Sequence, residues 1–375
     1  MGNRIDPWGS ASVKDYARLE KEFGIERFSK LLPKIKDPLL TMKRGIVFGH
    51  RDFGKVIEAM NRGKKFVMLT GLMPSGKFHL GHKMVADEII YLQKHGARTY
   101  LLVADIEAYN MRGKSLDELR KTAIEEYLVN YIALGLKPKH CDFYFQSSRS
   151  SDAEKSNAYY RLIGMVSKRA TFNEMKAIYG ELTPSKIMSV FTQVADILHP
   201  QLPEFEGRCP VVVPVGVDQD PHIKLTRDIA SRLKGNNEFD FMPPSSFYHE
   251  FMPGLKGVDT KMSSSDPYSY IALTDSPAEA RKKVMKYAFS GGGNSLEEHR
   301  KNGGNTKVDV PYRMLYYMFE PDDNKLAKIK KEYESGNMLT GELKQILVDK
   351  LTYFLERHHD AREKAKDKVS EFLGN

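Results

Sequence analysis

Cysteine is scarce. Only Cys141 and Cys209 occur in the 375 residues, far apart and in no CxxC pair. That argues against a disulfide framework or a zinc ribbon and for small buried thiols in a reducing compartment. No apolar run approaches the roughly 18 residues of a membrane helix. The start, MGNRID, has no apolar signal core, and Asp6 stands where a myristoylation signal wants a hydroxyl. Internal repeats and low-complexity tracts are also missing. A cytoplasmic protein with no membrane attachment is expected. Acidic surplus is absent too: 58 Lys and Arg stand against 49 Asp and Glu, a net charge of +9. This permits a polyanionic partner without requiring one.

From residue 65 onward a strand–helix rhythm is present. FVMLTG (66–71), RTYLLVAD (98–105), DFYFQS (142–147) and PVVVPVG (210–216) read as buried strands. HKMVADEIIYLQKHG (82–96) reads as a helix after the first strand, and a stretch from about 220 to 233 as one after the fourth. Continuously apolar strands alternating with helices predict a parallel sheet covered on both faces, with ligands at the strands' carboxyl ends. Residues 1–60, which hold the single tryptophan, Trp8, read as an N-terminal extension with some helix and a hairpin. Ser115 with Glu118, Ser276-Pro277 with Glu279, and Ser295 with Glu298 are helix starts. Leu343, Ile346, Leu347, Leu351, Phe354 and Leu355 mark the apolar face of a long final helix.

The stretch GLMPSGKFHLGH (71–82) looks at first like a phosphate-binding P-loop. The eighth position, however, is Phe78, which offers no oxygen to magnesium, and Pro74 removes a backbone donor. His79-Leu80-Gly81-His82 is more informative. It follows a strand and opens a helix, so two imidazoles and a side-chain-free glycine meet the positive helix end, where phosphate oxygens bind. The plainer alternative is one capping and one solvated histidine. No third ligand accompanies the pair, which argues against a metal site. Far downstream stands Lys261-Met262-Ser263-Ser264-Ser265.

HLGH and KMSSS together resemble the paired signature of the class I aminoacyl-tRNA synthetases, with Ser264 replacing the usual second lysine. Within that class the chain resembles the tryptophanyl- and tyrosyl-tRNA synthetases over nearly its whole length. QVADIL (193–198) and PVGVDQDPHIKLTRD (214–228) match pocket segments of both. Tyrosyl enzymes place a tyrosine two residues before the first glycine, where this sequence has Leu69. DPWGS, RGIVFGHRD (44–52), AFSGGGNSLEEHRKNGGN (288–305) and GNMLTGELK (336–344) are similar to the archaeal and eukaryotic tryptophanyl type.

The resemblance implies an α/β, Rossmann-like (HUP-type) catalytic domain over 61–275, with a helical dimerisation insert at about 115–200. A helical anticodon-binding domain over 276–375 is implied to follow. It implies activation of L-tryptophan with ATP and Mg²⁺, without zinc, and transfer to tRNA(Trp) by a homodimer. His79, His82 and Lys261 become the catalytic residues. Gly71, Gly81, Gly216, Asp218, Met262 and Ser263 join them around ATP. Glu107, Gln193, Asp196 and Gln219 fall around the amino acid. Eukaryotic tryptophanyl enzymes read the indole with a tyrosine and a glutamine, and the matching positions here are Leu69 and Leu102. That shifts the reading to Asp196, which resembles the aspartate of bacterial enzymes. Glu107 is a second candidate acceptor, favoured for the α-amino end. The competing readings are a tyrosyl-tRNA synthetase, a nucleotidylyltransferase that needs no tRNA, and a non-catalytic RNA-binding relative.

Overall fold

The computed structural model describes residues 24–74, 76–233, 239–264 and 266–373. Trp8 and Ser265 lie outside them. A seven-stranded sheet forms the centre, in the order β1-β2-β7-β6-β3-β4-β5. Its strands are β1 (Glu26–Arg27), β2 (Val47–Arg51), β3 (Val67–Leu72), β4 (Arg98–Val103), β5 (Cys141–Phe145), β6 (Val211–Gly216) and β7 (Ser245–His249). β7, β6, β3, β4 and β5 run parallel, and β2 joins β7 antiparallel. The segment read as an extension therefore supplies edge strands to the main sheet, through RGIVFGHRD. A short hairpin of β8 (Pro253–Gly254) and β9 (Gly257–Lys261) follows β7.

The sheet turns back on itself at β3. From there the chain steps outward through β4 and β5, then returns to the other side of β3 as β6 and β7. Such a switch point opens a crevice at the strands' carboxyl ends. Here the ladder pairs of β3 and β6 are Val67 with Val211 and Met68 with Val212, at the start of both strands. Further along, the two strands bound a cleft rather than a ladder.

Side chains alternate across the sheet with a period of two. Met68, Leu101, Val103 and Phe143 face the main hydrophobic core. Val67, Leu69, Tyr100, Leu102, Tyr144, Val211 and Val213 face a second apolar layer with Ile197 and Ile223. That second layer lies under α4 (Pro184–Leu198) and α5 (Asp220–Leu233). The other helices that matter for the site are α1 (Leu80–Lys94), α2 (Asp105–Arg112) and α3 (Ala153–Val166).

The carboxyl-terminal region is helical, with α6 (Pro277–Tyr287) and the long α7 (Thr340–Lys366). Leu343, Leu347, Leu351 and Leu355 of α7 are buried in the same core as β3 and β4. Hydrogen bonds from α7 reach Asn130 and the Leu273 carbonyl through His358 and His359. The helical region is thus packed on the catalytic layer, not strung beside it.

Candidate active site

The cleft at the switch point has a volume of about 790 Å³. It is lined by the ends of β3, β4 and β6, by α1, α4 and α5, and by the loop carrying Lys261. Every residue expected at the site lines it: Gly71, His79, Gly81, His82, Glu107, Gln193, Asp196, Gly216, Asp218, Gln219, Lys261, Met262 and Ser263. They come from segments far apart in sequence, and the parallel topology gathers them at one edge.

His79 and His82 open α1. The His79 ring accepts the Gly81 N–H through Nδ1 at 3.2 Å, and the His82 ring accepts the His79 N–H through Nδ1 at 3.1 Å. The two rings stack with centroids 3.8 Å apart. Both histidines therefore cap the helix and both line the cleft. Burial, followed by the neighbouring His82, holds His79 well below its ordinary pKa, and burial lowers His82 to about 4. Both rings are neutral near pH 7. With each Nδ1 used as an acceptor, the ring proton sits on Nε2. The site thus holds two neutral N–H donors where cations would repel each other. Phe78, the residue that spoils a P-loop, is fully buried against Tyr127 and Tyr131.

Across the cleft stands the Lys261 loop. Main-chain bonds stitch it to the histidine segment: Leu80 N–H to Ile271 O at 3.1 Å and Leu273 N–H to Phe78 O at 2.9 Å. The Ser264 hydroxyl donates to Lys77 O at 3.3 Å. A Cβ on Gly76 would lie 2.6 Å from Ser264 Cβ, so a side chain there would force the two loops apart. Met262 is buried in the main core and anchors the loop. Lys261 Nζ lies 3.6 Å from Asp218 Oδ2 and 5.2 Å from the Phe251 ring centroid. Burial raises the pKa of Asp218 although Lys261 opposes the shift. A Cβ on Gly216 would stand 2.5 Å from Phe251 Cε1, so only glycine lets these groups close in.

His249 also lines the cleft, 3.0 Å from the fully buried Glu88. Burial pulls His249 down, but the charge and hydrogen bond of Glu88 outweigh it and raise its pKa. This pair, on β7 and α1, had no sequence signal: neither residue belongs to a motif, and only the sheet brings them together.

The other half of the cleft is apolar, with Leu69, Leu102, Ile197, Val213 and Ile223 on its walls. Gln193 and Asp196 stand three apart on one face of α4. The Gln193 amide donates to Glu107 Oε2 at 2.9 Å. Asp196 is 1% exposed. Its Oδ1 accepts the hydroxyls of Tyr159 at 2.7 Å and Tyr144 at 3.2 Å, and its Oδ2 accepts the Gln146 amide at 2.8 Å. Asp196 is thus well supplied by the protein itself. Burial raises its pKa to about 7, against these three bonds. Beneath it, Arg149 packs 3.9 Å from the Tyr144 ring centroid and donates to His199 Nε2 at 2.9 Å and Asp142 at 2.7 Å. Tyr144, Gln146 and Tyr159 are site residues that motif reading missed. Gln146 was within reach of the period-two rule, since it falls two residues after Tyr144.

A parallel sheet reversing at β3, a histidine pair capping the helix after β3 and a lysine loop closing from beyond the sheet together define a class I aminoacyl-tRNA synthetase site. Residues 60–356 match the family described as tRNA synthetases class I (W and Y). The tryptophan–tRNA ligase of Aeropyrum pernix is 49% identical over 367 residues, covering 97% of this chain and 96% of its own. That of Methanocaldococcus jannaschii is 42% identical over 368 residues, covering 97% and 96%. The crystal structure of the tryptophanyl-tRNA synthetase of A. pernix is similar with a TM-score of 0.89 at 47% identity, covering 98% of both chains. This chain belongs to the tryptophanyl and tyrosyl family of class I tRNA synthetases.

Proposed function

We infer that this chain is a tryptophan–tRNA ligase. It activates L-tryptophan with ATP and passes the tryptophanyl group to the terminal adenosine of tRNA(Trp). The observation that carries this reading is the apolar half of the cleft. Leu69 stands on the wall where a tyrosine-reading enzyme needs a hydroxyl, and a buried polar floor lies beyond it. The curated relatives named above are tryptophan ligases at up to 49% identity over nearly the full length.

The chemistry asks little covalent work of the protein. The tryptophan carboxylate attacks the α-phosphorus of ATP and pyrophosphate leaves. Catalysis is then placement and charge stabilisation. The Nε2–H donors of His79 and His82 hold phosphate oxygens. Lys261 rests on Asp218 and exchanges that carboxylate for the leaving pyrophosphate, whose Mg²⁺ arrives with ATP as part of the substrate. Because negative charge builds on the pyrophosphate as it leaves, the Lys261 charge favours the transition state over the ground state. Gly71, Gly81, Gly216, Met262 and Ser263 shape the nucleotide half of the cleft. Glu107, Gln193 and Gln219 take the α-amino end.

The helical region 276–375 is assigned to the anticodon, with salt-sensitive binding expected from the +9 charge. A homodimer through the helical segment 115–200 is supported by Phe172 and Met188, which are large apolar side chains left exposed there. ATP–pyrophosphate exchange with tryptophan and tyrosine in parallel tests the reading. Exchange supported by tryptophan alone is expected, and preferential use of tyrosine overturns it.

A further inference from the structure

The buried floor of the amino-acid pocket holds an acceptor, Gln146 Oε1, that finds no hydrogen-bond partner among the described residues. Gln146 follows β5 directly, two residues after Tyr144, so it faces the same side of the sheet. It is 2% exposed and lines the cleft. Its main chain is fixed on both sides. The Gln146 N–H donates to Val103 O at 3.1 Å, its carbonyl accepts the Tyr160 hydroxyl at 3.0 Å, and the next N–H, of Ser147, donates to Asp105 Oδ1 at 3.1 Å. Its side-chain Nε2 donates to Asp196 Oδ2 at 2.8 Å. Its Oε1 is buried and has no hydrogen-bond partner among the described residues.

The direction of this amide follows from its neighbour. Once ionised, above pH about 7, the carboxylate can only accept, so the amide then turns its NH₂ toward Asp196 and its carbonyl away, the arrangement seen in the structure. Asp196 has its own place fixed by Tyr144, Tyr159 and the Gln146 amide. The nearby walls, Leu69, Leu102, Ile197 and Val213, are aliphatic and offer the ligand no side-chain acceptor. A buried acceptor without a donor is costly, so one left open on the floor of a ligand cleft is a place where a ligand donor gains most. The indole ring has one such donor, its N–H, on an otherwise apolar surface.

We propose that Gln146 Oε1 accepts the indole N–H of tryptophan, and that Asp196 is a positioning residue that holds the Gln146 amide in the accepting orientation. This rests on the reading of the chain as a tryptophan-activating enzyme and assigns the ring-reading group within it. With Leu69 and Leu102 aliphatic at the ends of β3 and β4, the acceptor comes from the residue that follows β5.

The test is ATP–pyrophosphate exchange by the full chain and by Gln146→Met, with tryptophan and with its benzothiophene analogue, in which sulfur replaces the N–H. The wild type is expected to prefer tryptophan in kcat/KM by about 10- to 100-fold, the scale of one buried acceptor left unpaired. Gln146→Met is expected to bring the two substrates within a few-fold, through loss on tryptophan alone. A general packing defect lowers both equally and leaves the ratio intact. An unchanged preference in Gln146→Met overturns the assignment to Gln146 while leaving tryptophan activation standing. A wild type that uses tyrosine and not tryptophan overturns both. If the variant does not fold, the wild-type crystal structure with tryptophan decides. Indole nitrogen within about 3.2 Å of Gln146 Oε1 is the expected result. The same nitrogen on an Asp196 oxygen, or on any other group, refutes the proposal.

Discussion

Replacing Asp196 by asparagine makes a sharp test of how the pocket floor is wired. The wild-type carboxylate collects two tyrosine hydroxyls on Oδ1 and the Gln146 amide on Oδ2. In Asp196→Asn the side-chain oxygen keeps the two hydroxyls, both of which donate at this position in the wild type. The new NH₂ then faces Gln146, whose amide must turn over to accept it. That turn presents Nε2 to the ligand in place of Oε1. An indole N–H then meets a donor, and the loss is that of a buried donor left unpaired, about 1–3 kcal/mol. At 1.4 kcal/mol per tenfold, kcat/KM for tryptophan should fall by about 10- to 100-fold. The benzothiophene analogue, with no N–H, should be affected far less. Pyrophosphate exchange at pH 8 with both substrates measures this.

The pH dependence adds a second arm. Burial raises Asp196 to about 7 from an ordinary 3.8, so the native state binds its proton over a window in which the unfolded state does not. Wild-type stability attributable to this group therefore falls as pH rises from about 4 to about 7. Asp196→Asn lacks that slope, and its stability relative to the wild type should rise with pH in denaturant titrations at pH 5 and pH 8. Below pH 7 the protonated wild-type carboxyl can donate to Gln146, so the tryptophan preference should weaken as pH falls. An Asp196→Asn enzyme with undiminished preference for tryptophan over the analogue refutes this wiring.

Two further outcomes follow from the nucleotide half of the site. Lys261→Ala should lower kcat for pyrophosphate exchange on the order of 100-fold with little change in KM for tryptophan, as expected for one charge-stabilising donor; an unchanged kcat removes Lys261 from the mechanism. His82→Ala should lose both a phosphate donor and the acceptor for the His79 N–H, which costs about 1 kcal/mol of stability by the usual scale for a helix cap and lowers kcat by about 100-fold or more. The wild type should also lose stability as pH falls from about 6.5 toward 4, because the native rings of His79 and His82 stay neutral there while unfolded histidines take up protons. His82→Ala should show a shallower acid limb in thermal melts, and an identical limb counts against a buried neutral His82.

The sequence by itself determined the main elements and the motif residues that the fold gathers at the cleft. Apolar runs and helix starts sufficed for β3, β4, β5, β6 and α1, and HLGH and KMSSS marked two segments that meet at one cleft, because these signals are local and depend on backbone periodicity and residue type. Only the tertiary structure decided what the buried side chains do for one another. The residues 47–51 enter the main sheet beside β7, and Glu88 meets His249, through pairings between segments far apart in the chain. The same holds for the pocket floor. Asp196 reads in sequence as a candidate acceptor, yet Tyr144 and Tyr159 already donate to it, and the acceptor left open is Gln146 Oε1. A side chain's chemistry is written in its own residue type. Whether its hydrogen-bonding capacity remains available depends on which distant groups the fold packs against it.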